Sequence, residues 1–256
     1  MLSCNIVRIS VPWRCTLNDL KTISDDLTQR LGLNFVPVGV NIIKRQDDPL
    51  AGMPFFEGKL KSYCEALTVA GKGTTLLLKK EQMGCKLGTA VLGFEELAED
   101  LLEDGVYEKF EAGLFGTEEA SAETIKKSVC LPKGETQSAL IAPLETFSEV
   151  PQVVVFSADS EQVMWILYAI NFDRGGVMNL PQSGGALGGC ADITAYPILR
   201  GEANVTFLGL GCRIKSGLDG CHLMIGLPGG MLEMLHANIM KMEKPMNMLK
   251  KAQQKA

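Results

Sequence analysis

The sequence predicts an α/β or α+β fold, a mixed sheet with flanking helices built as one globular unit over residues 1–256. Three observations carry this expectation. Stretches with apolar residues at helical spacing alternate with short apolar runs. The clearest pair is "PQVVVFSADSEQVMWILYAI", where Val153–Phe156 reads as a buried strand and Asp159 or Ser160 caps a helix through about Asn171. No Ser/Gly/Pro linker divides the chain, so two related halves, 16–135 and 136–245, are expected in one unit, with 246–256 as a polar tail.

The first helix follows Thr16, a suitable N-cap, and places Leu17, Leu20, Ile23, Leu27 and Leu31 on one side before Gly32 closes it. In "FVPVGVNIIKR", Val36, Val38, Val40 and Ile42 alternate inward as in a strand. The segment 58–70 reads as a helix with Leu60, Cys64 and Leu67 on one stripe, followed by a strand in "TTLLLKK" and a turn at Gly84-Cys85. Residues 95–111 pair eight acidic side chains with Leu and Phe at amphipathic spacing, so the acids form a solvated helix face. Strands are expected at 204–209 and 221–226.

The tail places Leu232, Leu235, Ile239, Met242, Met246 and Leu249 in steps of three and four, and Pro245 should kink or end that helix. Six of the twelve methionines lie there. Such a stripe docks on the chain's own core or serves a homo-oligomer through an adaptable methionine surface.

Composition narrows function. Apolar residues at 46% and charged residues at 21% suit an ordinary globular core that needs neither metal nor disulfides to form. A net charge of −5 argues against nucleic acid, whose phosphates require a basic face. Gly and Pro interrupt every long uncharged stretch, so no membrane span is expected. The first residues lack the pattern of a signal peptide, which predicts a cytoplasmic protein with reduced thiols.

Four of the eight cysteines directly follow a glycine: Gly84-Cys85, Gly189-Cys190, Gly211-Cys212 and Gly220-Cys221. Buried free cysteine is ordinarily core filler. Glycine, however, marks turns, and a turn can aim backbone N–H groups at a thiolate or sulfide. No CxxC or zinc-finger spacing occurs, so any metal site must assemble from distant parts of the chain. Fourteen of the 27 glycines lie in 175–230, where close backbone approach is expected, either for tight packing or around a bound group.

The ordered blocks "YCEALTVAGKG", "MGCKLGTAVLGF", "IAPLE", "VVVFSADSEQVMWIL", "GGCADITAYP", "VTFLGLGCRIKSGL" and "MIGLP" resemble the domain of unknown function 169 family of archaea and bacteria, from roughly residue 20 to 240. The resemblance implies that Cys64, Cys85, Cys190 and Cys212 are the recurring cysteines. It places Arg213 where basic residues follow them, and Cys221 where the family has another residue. It brings no activity with it. Four thiolates suit a [4Fe–4S] cluster or zinc by softness, and turn glycines beside cysteine favour the iron–sulfur cluster.

The resulting expectation is an iron–sulfur protein with metal ligands Cys64, Cys85, Cys190 and Cys212. Gly84, Gly189, Gly211 and Arg213 stand beside the cofactor. The expected role is redox or reductive chemistry on a small molecule near 184–189, or exchange with an electron-transfer partner. Two other readings stay open, a metal-free small-molecule-binding module with structural cysteines and an assembly subunit. His222 and His236 are read as structural. Arg174 and Arg200 are read as surface ions, with an anion-binding ring that includes Arg213 as the alternative.

Overall fold

In a computed structural model, described over residues 17–44, 53–96, 114–184 and 186–255, six strands form one sheet in the order β2-β3-β1-β4-β6-β5. The strands are β1 (Val38–Lys44), β2 (Leu76–Leu78), β3 (Thr136–Pro143), β4 (Val153–Ala158), β5 (Asn204–Thr206) and β6 (Leu223–Pro228). The expected sheet with flanking helices is present, and each pairing between these strands is antiparallel. β3 lies between β2 and β1, so strands from the two halves of the chain interleave.

Because side chains alternate across a strand, each strand feeds two cores. Val38, Val40, Ile42, Val153 and Val155 face one layer with Leu76, Leu78 and Ile141. Ile43, Val154, Phe156, Leu140 and Ile225 face the other. That second layer is roofed by α1 (Leu17–Leu31), α5 (Ser160–Asn171), α8 (Leu232–Lys241) and α9 (Glu243–Gln253). Asp159 caps α5 as expected. Its carboxylate accepts from the Gln162 N–H at 2.8 Å, and the Gln162 side chain accepts from the Asp159 N–H at 2.9 Å.

The tail stripe docks inward. Leu232, Leu235, Ile239, Met242 and Met246 are buried in the second core, with Leu249 against it, and Met248 is exposed. Pro245 falls in the first turn of α9, where its missing N–H has no helical partner to lose. Most of the acidic stretch 95–111 lies outside the described residues.

The first layer carries α2 (Tyr63–Gly71), α3 (Lys86–Val91), α4 (Glu118–Lys127), a π-helix (Gly188–Ala195) that runs into α6 (Tyr196–Arg200), and α7 (Leu210–Ser216). The helix expected over 58–70 starts later, at Tyr63, because the Ser62 hydroxyl caps it by accepting from the Glu65 N–H at 3.1 Å. β5 ends at Thr206, earlier than expected. Leu208 there takes a left-handed φ of 59°, which no strand tolerates, and the chain turns into α7.

Two glycines set how closely the π-helix lies on the sheet. A Cβ on Gly226 of β6 would stand 2.0 Å from the Ile193 carbonyl oxygen, and one on Gly188 would stand 2.3 Å from the Thr206 hydroxyl. Gly226→Ala should therefore force backbone apart and destabilise the fold by about 3 kcal/mol, the upper part of the overpacking range. Urea unfolding of that variant beside wild type measures the loss. An unchanged midpoint would show that the π-helix does not rest on β6 this closely.

Candidate functional site

The four cysteines singled out by the sequence come from four separate elements. Cys64 is the second residue of α2, Cys85 is the N-cap of α3, Cys190 lies in the π-helix and Cys212 in α7. The structure brings their thiols together. Cys64 hydrogen-bonds to Cys212, and every pair among the four interacts electrostatically. Cys64 and Cys190 are buried, and Cys85 and Cys212 are half-buried. Among the described residues, however, no three Cys, His, Asp or Glu side chains converge tightly enough to hold a metal ion as they stand.

Two of the thiols have a local backbone anchor. Cys85 Sγ accepts from the Gly88 N–H at 3.4 Å as the cap of α3, and Cys190 Sγ donates to the Leu187 carbonyl at 3.7 Å. Beside Cys64, the Tyr63 hydroxyl lies 3.0 Å from Thr194 Oγ1, and that oxygen donates to the Gly189 carbonyl at 2.9 Å. The threonine proton is thus committed, so Tyr63 is the donor. This buried chain ties α2 to the π-helix immediately next to two of the cysteines.

The electrostatics follow from crowding and burial. The bond to Cys212, then burial, then the neighbouring thiols push the Cys64 thiol well up from its ordinary range. Burial, followed by Cys85 and Cys212, does the same to Cys190. Burial raises Cys85, partly offset by the Gly88 N–H and Lys215. Without a cation, the group is therefore held as neutral thiols. Several thiolates can coexist there only if positive charge enters with them.

Only one of the three glycine–cysteine pairs in this group is a turn. Gly84-Cys85 leads into α3, as expected, and Gly84 donates to the Leu60 carbonyl at 2.7 Å. Gly189-Cys190 lies inside the π-helix, and Gly211-Cys212 lies inside α7. The physical reason at Gly189 is space, since a Cβ there would stand 2.5 Å from Cys64 Sγ. Arg213 holds the next turn, donating to the Asp219 and His222 carbonyls at 2.8 and 3.0 Å.

The remaining candidates lie elsewhere. Cys221 and Cys130 are exposed, and Cys4 and Cys15 fall outside the described residues. His222 Nδ1 lies 2.6 Å from Asp219 and His236 Nε2 lies 2.8 Å from Asp26, each a local tie.

Sequence reasoning missed Asp192, two residues beyond Cys190. It is buried, and its two carboxylate oxygens accept from the Ser183 N–H at 3.1 and 3.3 Å, with the Thr206 side chain as a further partner. Burial pushes its carboxyl up to about 6 against these bonds. The signal that could have found it is the four-residue spacing Asp192, Tyr196, Arg200. That spacing is legible only once the glycine-rich stretch is read as helix.

Comparison with known proteins fits this layout. A family model described as DUF169, "Uncharacterised ArCR", matches residues 26–238. The chain belongs to the DUF169 family. That match spans all six strands and all four clustered cysteines. The uncharacterised protein MJ0308 of Methanocaldococcus jannaschii is 24% identical over 216 residues, which cover 83% of this DUF169 chain and 90% of that protein. No solved structure matches significantly. Among the described residues, no helix is long and apolar enough to cross a membrane.

The difference in burial predicts an order of chemical reactivity. In the folded, metal-free protein, iodoacetamide should label exposed Cys221 first, half-buried Cys85 and Cys212 more slowly, and Cys64 and Cys190 only on unfolding. Peptide mass mapping over a time course reads this order. Early labelling of Cys64 would contradict the buried grouping.

Proposed function

We propose that Cys64, Cys85, Cys190 and Cys212 hold a cysteine-ligated metal centre, in first place an iron–sulfur cluster. The protein would use this centre in redox or reductive chemistry on a small molecule. The observation that carries this reading is the mutual interaction of four thiols delivered by four separate elements into one largely buried place. Each thiol disfavours ionisation of the others, so the four lose their protons together only when positive charge joins them. A soft cationic centre supplies that charge as ligation replaces the thiol protons.

The surroundings fit such a group. Gly189 leaves the space that a Cβ would take from Cys64, and the Gly88 N–H already points at Cys85. Backbone donors to sulfur of this kind orient cluster ligands and tune their potential. Cys190 sits in a π-helix, a backbone form that is rare and concentrated at functional sites. When bound, a cluster would supply electron transfer or, with one iron left open, a site for reduction.

Zinc is the alternative occupant. It would use the same thiolates, but a single ion draws all four sulfurs to about 2.3 Å from one point. The thiols would have to close in further than they now stand. A multi-iron cluster spans a wider ring. Reduced thiols imply a cytoplasmic setting, and the partner would be a small molecule or an electron-transfer protein.

Purification without oxygen, followed by iron, sulfide and zinc analysis and a visible spectrum, tests this reading. Iron with matching sulfide and a brown absorbance is expected. Single Cys→Ser changes at 64, 85, 190 and 212 should each lower the iron content severalfold, whereas Cys130→Ser and Cys221→Ser should leave it unchanged. Zinc in place of iron would retain the site and remove the redox role. A colourless, well-folded, metal-free protein would overturn the proposal and leave a metal-free binding module.

A further inference from the structure

The π-helix carries a second polar feature that the thiol group does not use. A cavity of about 310 Å³ is lined by α4 through Glu123 and Lys127, by the loop through Gln182 and Ser183, and by Asp192 and Arg200 from the π-helix and α6. Among the described residues no cysteine lines it. That space is enough for a small organic molecule.

The charges in this cavity are sorted by depth. Asp192 is only 5% exposed, and no cation pairs with it among the described residues. Its hydrogen bonds come from Ser183 and Thr206, both neutral groups. A buried carboxylate is ordinarily matched by a cation, so this one lacks its usual partner. The cations lie at the mouth. Arg200 and Lys127 are exposed, and Lys127 is already paired with Glu123 at 2.7 Å, which leaves Arg200 as the principal site for an anion. Asp192 and Arg200 are eight residues apart along nearly continuous helix, a separation of up to about 12 Å between their backbones.

We propose that this cavity binds a small linear zwitterion, with its ammonium end against Asp192 and its carboxylate end against Arg200. The charged groups of an α-amino acid share one carbon and match this backbone separation poorly. An ω-amino acid with a spacer of several carbons spans the distance, with Val129, Pro181 and Ala191 beside its methylenes. Binding does not depend on a metal at the thiols. Asp192 does interact with Cys190, so an ammonium at the carboxylate would alter the field at the thiol group.

The test is calorimetric titration of the full chain, metal-free and iron-loaded, with glycine, 4-aminobutyrate, 6-aminohexanoate and glutarate. Saturable one-to-one binding of the two longer amino acids in the millimolar range is expected. Glycine and glutarate should bind at least about tenfold more weakly, the equivalent of losing one charge-assisted contact. Arg200→Gln should weaken 6-aminohexanoate by a similar factor. It lies at an exposed position, so its fold is safe, whereas Asp192→Asn also removes a loop anchor and needs a parallel thermal melt. Glutarate binding as tightly as the amino acids would overturn the inference, as would no saturable binding or an unaffected Arg200→Gln variant. Iron analysis of the same samples reads the metal proposal separately, so either can fail alone.

Discussion

The architecture of the site depends on one constraint, the close seating of the π-helix on the sheet. β6 offers Gly226 where any side chain would collide with the Ile193 carbonyl. That absence lets backbone pack against backbone, and Gly188 repeats the contact against Thr206. The π-helix is buried along its whole length, so its residues are fixed by neighbours on every side. Cys190 and Asp192 inherit that rigidity. A site carried on a rigid element holds its groups to tighter tolerance than one on a free loop.

A second constraint comes from across the helix layer. Gly189 makes room for the Cys64 sulfur, and the Tyr63–Thr194–Gly189 hydrogen-bond chain locks α2 to the same turn of π-helix. Burial pushes the Tyr63 hydroxyl up, so it stays a neutral donor at all ordinary pH values. On the far side, Leu208 adopts a left-handed conformation directly before α7, the helix that brings Cys212 to Cys64. A branched residue holds that conformation at a cost of about 1–2 kcal/mol, and only where the surroundings enforce it. Two uncommon backbone features, the π-helix and the left-handed leucine, thus flank the same group of thiols.

The sequence made the regular parts legible and the site only partly so. Periodicity located α1, β4 and α5 because their apolar spacing is uninterrupted and their caps are explicit, as at Asp159. Over 186–216 the glycine density pointed to close backbone approach, which is present, but the turns expected at Gly189 and Gly211 are helix instead. Gly188 and Gly189 serve contact inside the π-helix and Gly211 lies within α7, whereas Gly201 ends α6 in the left-handed conformation. Local propensity cannot register a contact with β6 or α2, since the partner lies dozens of residues away. The grouping of Cys64 with the others was legible only through resemblance, because no short spacing announces it. Asp192 was invisible for the same reason: its four-residue relation to Tyr196 and Arg200 means nothing until the segment is helical.

A π-helix is a costly way to carry residues, since its hydrogen bonds and packing are poorer than those of an α-helix. Its benefit here is angular. In an α-helix, residues two apart point about 200° from each other. The wider π turn changes this offset, and its extra residue per turn shifts every following side chain around the axis. Cys190 meets the thiols of α2, α3 and α7, while Asp192 reaches the Ser183 loop and the cavity beyond. The two remain close enough for the carboxylate to raise the thiol. One short element therefore presents a thiol and a carboxylate to two separate places. The carboxylate and the thiol feel each other's charge across the turn between them.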